Sequence, residues 1–192
     1  PWGDYGDILM HGMSAHLGRD SQGIIQLERT GPFMPPISFP GIGDIVVTDA
    51  FRRGLETSGL TGFSLREVRL TRIVRLHWHV WDLDAEEPQE YPSDGEPESY
   101  ILEQEHCPEL AEQMQPVWEM ALEVGAREVR VPTGKRAWES RILIESGSLK
   151  GLDFFRADTT AYNYVSQRAK DWLAERAADH VSFQECEFRP KP

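Results

Sequence analysis

The chain has 192 residues and a formal net charge of −12, from 20 Lys and Arg against 32 Asp and Glu. That length makes one domain of ordinary size, or at most two small ones, and the acidity argues against a nucleic-acid binder, because a phosphate backbone rewards clustered cations. No apolar run approaches the ~20 residues that span a bilayer, and Cys107 and Cys186 are too few and too far apart for a disulfide framework.

The opening residues PWGDYGDILMHG have no basic region followed by an apolar one, so no secretory signal is expected there. Residues 1–22 read as irregular, anchored by Ile8, Leu9, Met10 and Met13. GIIQLERT (23–30) reads as a strand with Ile25 and Leu27 facing inward. In GPFMPPISFPGIGD (31–44), four prolines and three glycines exclude helix and interior strand. Its apolar residues Phe33, Met34, Ile37, Phe39 and Ile42 predict an ordered loop packed on the fold. The loop either seals the core or meets a partner.

DIVVTDAFRRGLETSGLTGFSLREV (44–68) reads as strand, capped helix, glycine stop and strand, with Thr48 as the cap. RLTRIVRLHWHVWDLD (69–84) is the longest expected strand, with Val74, Leu76, Trp78 and Val80 on one face. AEEPQEYPSDGEPES (85–99) reads as an exposed loop. CPELAEQMQPVWEMALEV (107–124) places Leu110, Met114, Val117, Trp118, Ala121 and Leu122 on one stripe. That predicts an amphipathic helix, kinked at Pro116, with Glu109, Glu112, Glu119 and Glu123 mostly outward. Short strands follow at 127–131, 141–145 and 152–158, and FRPKP reads as a frayed end.

The 44–68 pattern recurs over 162–188, shifted by 118 positions, so that Ser166 falls on Thr48 and Leu173 on Leu55. This is either an internal repeat or two ordinary strand–helix–strand units that look alike. With roughly seven or eight strands and about three helices that do not alternate regularly, the expected class is α+β with a mixed, largely antiparallel sheet. A single domain over 1–192 is expected.

The charge is unevenly placed. Between Arg75 and Arg127 there is no Lys or Arg, while residues 76–126 hold 14 Asp and Glu. Such a run is either a solubilising face or a docking surface whose field draws a cationic partner. Tyr91, Tyr100, Trp78 and Trp81 interleave with the acids and can anchor such a partner. The rival chemistry is a metal-dependent hydrolase using His77, His79 and Asp82, since HxH on a strand presents two imidazoles to one side. It lacks further ligands: there is no HExxH and no CxxC. Neither a GxSxG elbow nor a phosphate loop occurs, so no catalytic residue, metal or cofactor is assigned.

Residues 31–68, RIVRLHWHVWD (72–82), EEPQEYPSDGEPESYIL (86–102) and DFFRAD…YNYVSQRAKDWLAERAADHVSFQE (153–185) together resemble the immunity proteins of bacterial polymorphic toxin systems. Within these they look like the double-CxxCG motif group of swarm-killing systems, although the CxxCG pairs themselves are absent and no zinc site carries over. The resemblance implies a non-enzymatic cytoplasmic antitoxin that binds a cognate toxin domain and occludes it. A nuclease with a basic groove would suit the acidic surface. The residues expected to contact it are Asp82, Asp84, Glu86, Glu87, Glu90, Asp94, Glu96 and Glu98, with Tyr91 and Tyr100 as anchors. A non-enzymatic adaptor for another basic protein is the remaining alternative.

Overall fold

A computed structural model describes residues 12–41, 43–77, 81–82, 84–134, 136 and 140–189. The chain divides into two compact units, residues 1–52 with 65–119, and residues 53–64 with 120–192.

In the first unit, β1 (Met13–Ser14), β2 (Gln26–Thr30) and β6 (Arg69–Val74) form one sheet in that order. β1 runs antiparallel and β6 parallel to β2. Ile25 and Leu27 are fully buried, as their inward placement requires, but so are Glu28 and Arg29 on the same central strand. Polar residues buried on a strand must find partners or shift their protonation. Arg29 does the former with Nε and Nη2, while its Nη1 is buried without a partner. Its Nε donates to the carbonyls of Thr30 (3.1 Å) and Gly31 (2.8 Å), and its Nη2 to that of Phe33. Burial still lowers its pKa to about 10. Glu28 does the latter: burial pushes its carboxyl above the usual carboxylate range, with His16 and Arg72 offsetting part of the effect.

Beyond the proline-rich loop lie β3 (Ile37–Ser38), β4 (Val46–Thr48), α1 (Asp49–Ser58) and β5 (Phe63–Glu67). The Thr48 hydroxyl accepts from the Phe51 amide at 3.3 Å and caps α1. Gly59, at φ +68°, ends it. β3 and β4 pair antiparallel, and β4 pairs antiparallel with β7 (Val117–Leu122) in a sheet of order β3-β4-β7-β5. Leu27, Val46 and Val117 form a core, with Met34, Val68 and Met114 against it. Short helices α2 (Ser99–Leu102) and α3 (Pro108–Ala111) bury Ile101 and Leu110.

The expected helix over 107–124 is therefore corrected: it ends at Ala111, and the second half is strand. Pro116 cannot donate a helical hydrogen bond. Val117–Leu122 pairs between β4 and β5 and buries residues on both faces, Val117 and Glu119 on one, Met120 and Leu122 on the other, and such a run mimics a helical stripe. Glu119, expected outward, is 3% exposed. The strand expected over 69–84 stops at Val74; Trp78, His79 and Val80 lie outside the described residues.

In the second unit, β8 (Val124–Ala126), β11 (Phe154–Ala157) and β12 (Asn163–Val165) form a sheet of order β12-β11-β8. β9 (Glu128–Pro132), β10 (Ser140–Glu145) and β13 (Glu187–Arg189) form another of order β13-β10-β9. Ala126, Ile144, Phe155 and Ala157 make the core, with Leu152 and Tyr164 packed on it. Gly62 is required where it stands: at φ +94°, a Cβ would lie 1.9 Å from the Phe154 carbonyl oxygen.

The helix α4 (Gln167–Ala177) is capped by Ser166, whose hydroxyl accepts from the Ala169 amide at 3.1 Å. This matches the Thr48 cap of α1, 118 positions earlier. The likeness stops after the helix, because 181–186 is irregular where 63–67 is strand. β13 pairs parallel with β10, so the expected frayed end is ordered through Arg189. Among the described residues there are four α-helices and thirteen short strands in four mixed, mostly antiparallel sheets. The class is α+β, with more and shorter strands than the sequence pattern suggests, since two- and three-residue strands leave no period to read.

Candidate partner-binding surface

The acidic segment is a shaped loop with its own internal hydrogen bonds. Asp82 Oδ1 accepts from the Asp84 amide at 3.1 Å, and Asp94 Oδ1 from the Glu96 amide at 3.0 Å. Both are turns in which an aspartate replaces a backbone acceptor. Asp94 Oδ2 also accepts from the Ser99 hydroxyl at 3.1 Å. The Glu96 amide, together with the Ser99 hydroxyl and the charge of His16, holds the Asp94 carboxyl below the usual range against a smaller opposing effect of burial. Glu103 accepts from both the amide and the hydroxyl of Ser93, which ties 93 to the end of α2. Pro88 and Pro92 are buried beneath the loop.

On this frame Asp82, Asp84, Glu86, Glu87, Glu90, Asp94 and Glu96 are exposed, and Glu98 is half-buried. Among the described residues, no Lys or Arg forms an ion pair with any of these eight. The nearby arginines are spent on other groups. Arg72 donates to the backbone carbonyls of Leu102 and Gln104, and Arg75 points at the Cys107 sulfur at 3.9 Å. Like charges so placed keep a strong local potential, because nothing within the loop cancels it.

The two tyrosines differ. Tyr91 is 49% exposed and donates to Glu87 Oε2 at 3.0 Å. Tyr100 is half-buried. Its hydroxyl donates to the Glu90 carbonyl, and its ring lies 4.7 Å from that of Trp81. Its place is inside the loop, where it shapes the surface.

Glu119 does not belong to the surface. Arg19 grips it with both terminal nitrogens, at 3.0 and 2.9 Å, and also reaches Asp44 at 2.8 Å. Sequence reasoning had no signal for that pairing, which joins positions 100 apart. Of the rival metal set, Asp82 is exposed and accepts from the Asp84 amide. His77 is exposed beyond the end of β6, His79 lies outside the described residues, and no group of three His, Cys, Asp or Glu suited to a metal occurs among the described residues.

Phe33, expected to pack the proline-rich loop onto the fold, does not do so. It is 88% exposed, while its own carbonyl is held by the buried Arg29. Among the described residues no helix is long and apolar enough to cross a membrane. Comparison with protein families, curated proteins and solved structures finds no match to this chain.

Proposed function

We propose that this chain is an immunity protein of the polymorphic-toxin kind, which binds a cognate toxin domain in the cytoplasm and occludes its active site without catalysis. The observation that supports it is the loop 82–98: eight carboxylates on a hydrogen-bonded frame, with no Lys or Arg of the described residues in an ion pair with them. A rigid anionic surface suits a partner whose own groove is basic, as in a nuclease, because complementary fields speed encounter and fix register. Tyr91 supplies an apolar contact beside the charge. An adaptor for some other basic protein would use the same loop, and the identity of the captured partner separates the two readings.

The test is to capture the native partner with the tagged chain, identify it, and measure binding kinetics. A variant carrying Asp84→Lys, Glu86→Lys, Glu90→Lys and Glu96→Lys should associate at least about tenfold more slowly, with a weaker dependence on salt. Unchanged association and salt dependence would remove this loop from the interface.

A further inference from the structure

The second unit contains a concave cavity of about 630 Å³, within the range of sites that enclose a small organic molecule. Separate stretches of chain wall it: Gly125 of β8, the turn 149–152, Phe155 of β11, β12 with the first turn of α4, and the irregular segment 182–186 running into Phe188 of β13. Its apolar surface is largely aromatic. Phe155 stacks on Tyr164, with ring centroids 5.5 Å apart and planes 13° from parallel. Phe183 and Phe188 contribute rings that are 37% and 51% exposed, and Leu149 is 41% exposed. Exposed rings around one hollow are costly unless something flat and apolar covers them.

Two ammonium groups line the same hollow. Lys150 Nζ donates to the Val124 carbonyl at 2.6 Å, and Lys170 Nζ lies 5.9 Å from the Phe183 ring centroid. Neither is in an ion pair among the described residues. Glu185 is the one carboxylate on the lining, so the cations outnumber it. The cavity is thus a cationic place in a chain whose net charge is −12. Asn163, also on the wall, carries a buried Oδ1 that meets no donor.

We propose that this cavity binds a small organic anion with a planar apolar body, its acid group drawn by Lys150 and Lys170 and its body covering the rings of Phe155, Phe183 and Phe188. The enclosure favours a small molecule over a macromolecular segment, the lysines favour an anion, and the aromatic walls favour a flat body. The site is independent of the acidic loop, and its failure would leave the toxin-binding reading untouched.

Anilinonaphthalene sulfonate, a planar aromatic anion, is the probe, and Cys186 on the cavity wall reports its position. Alkylation by iodoacetamide is followed at Cys186 and at Cys107, the other free cysteine, as internal reference. Saturating probe should slow alkylation of Cys186 by about threefold or more and leave Cys107 unchanged. The variant Lys150→Gln with Lys170→Gln should weaken the probe about fivefold, yet leave the neutral analogue phenylnaphthylamine unaffected. An unchanged Cys186 rate would overturn the site, and equal weakening of both probes would overturn its preference for anions. If the double variant fails to fold, the protection measured in the native chain still decides between binding and none.

Discussion

Removing Arg19 should cost far more than removing the carboxylate it holds. The Glu119 side chain is 5% exposed, and its two oxygens accept from Arg19 Nη1 and Nη2. Arg19→Ala leaves that charge buried without a counter-charge. A fully buried pair broken in this way loses about 3–5 kcal/mol. Arg19 itself is 39% exposed, so water can approach the vacated place, and the loss is discounted to about 2 kcal/mol. Glu119→Gln should be milder, because Arg19 keeps Asp44 at 2.8 Å and the Gly23 carbonyl at 3.0 Å. The double variant Arg19→Ala with Glu119→Gln should then recover at least about half of the loss, since no charge is stranded. Urea unfolding followed by tryptophan fluorescence reads all three. Trp118, Glu119's neighbour in sequence, reports on the pair, with its indole nitrogen 3.2 Å from Asp49 and Arg52 stacked 4.5 Å from its ring centroid. If Arg19→Ala costs under about 0.5 kcal/mol, or the double variant is no better than the single, the pair is an ordinary surface contact and Glu119 returns to the outer acids.

Glu28→Gln should stabilise the chain by about 1 kcal/mol at neutral pH, because the native carboxylate is buried with Oε2 unpartnered. Its folded pKa is raised, so the native chain loses stability as pH climbs through that pKa, and the variant's thermal advantage should vanish below about pH 4, where both states are protonated. An advantage that persists at low pH refutes the assignment. Gly62→Ala places a Cβ against the Phe154 carbonyl at positive φ and should cost more than about 3 kcal/mol. Gly95→Ala, at φ +81° with nothing within 4 Å, carries the backbone strain alone and should cost about 1 kcal/mol. Equal urea midpoints for the two would show that the close approach at Gly62 does not exist.

Local chemistry made part of this fold legible. Thr48 and Ser166 are caps because a hydroxyl before a helical run accepts the orphan amides of the first turn. Strands β9, β10 and β11 fall where their β-branched and aromatic residues put them. The misread stretch, 117–122, is central in its sheet, and a strand covered on both faces has no alternation to betray it. Arg189 at the tail is ordered by Glu145, 44 positions back, a pairing no window of sequence contains. The cavity was illegible for the same reason, since its walls come from stretches far apart in sequence, from Gly125 to Phe188.

The acidic loop keeps its charge because of where the unit's cations go. The unit formed by residues 1–52 and 65–119 has 7 Arg and no Lys against 20 Asp and Glu, whereas the other has 13 basic against 12 acidic residues. Six of the seven arginines are occupied within the first unit. Arg19 holds Glu119 and Asp44, Arg52 holds Asp49, and Arg69 lies 2.8 Å from Asp20. Arg29 and Arg72 spend their donors on backbone carbonyls, and Arg75 faces Cys107. Each of these contacts supports a strand, a turn or a helix end, so none can swing to residues 82–98 without undoing the fold that presents them. Solvent counterions are weak substitutes at physiological salt, where screening acts over about 8 Å. A protein that supplied an ordered set of cations would release those counterions and answer a charge that the described arginines of the first unit leave unpaired.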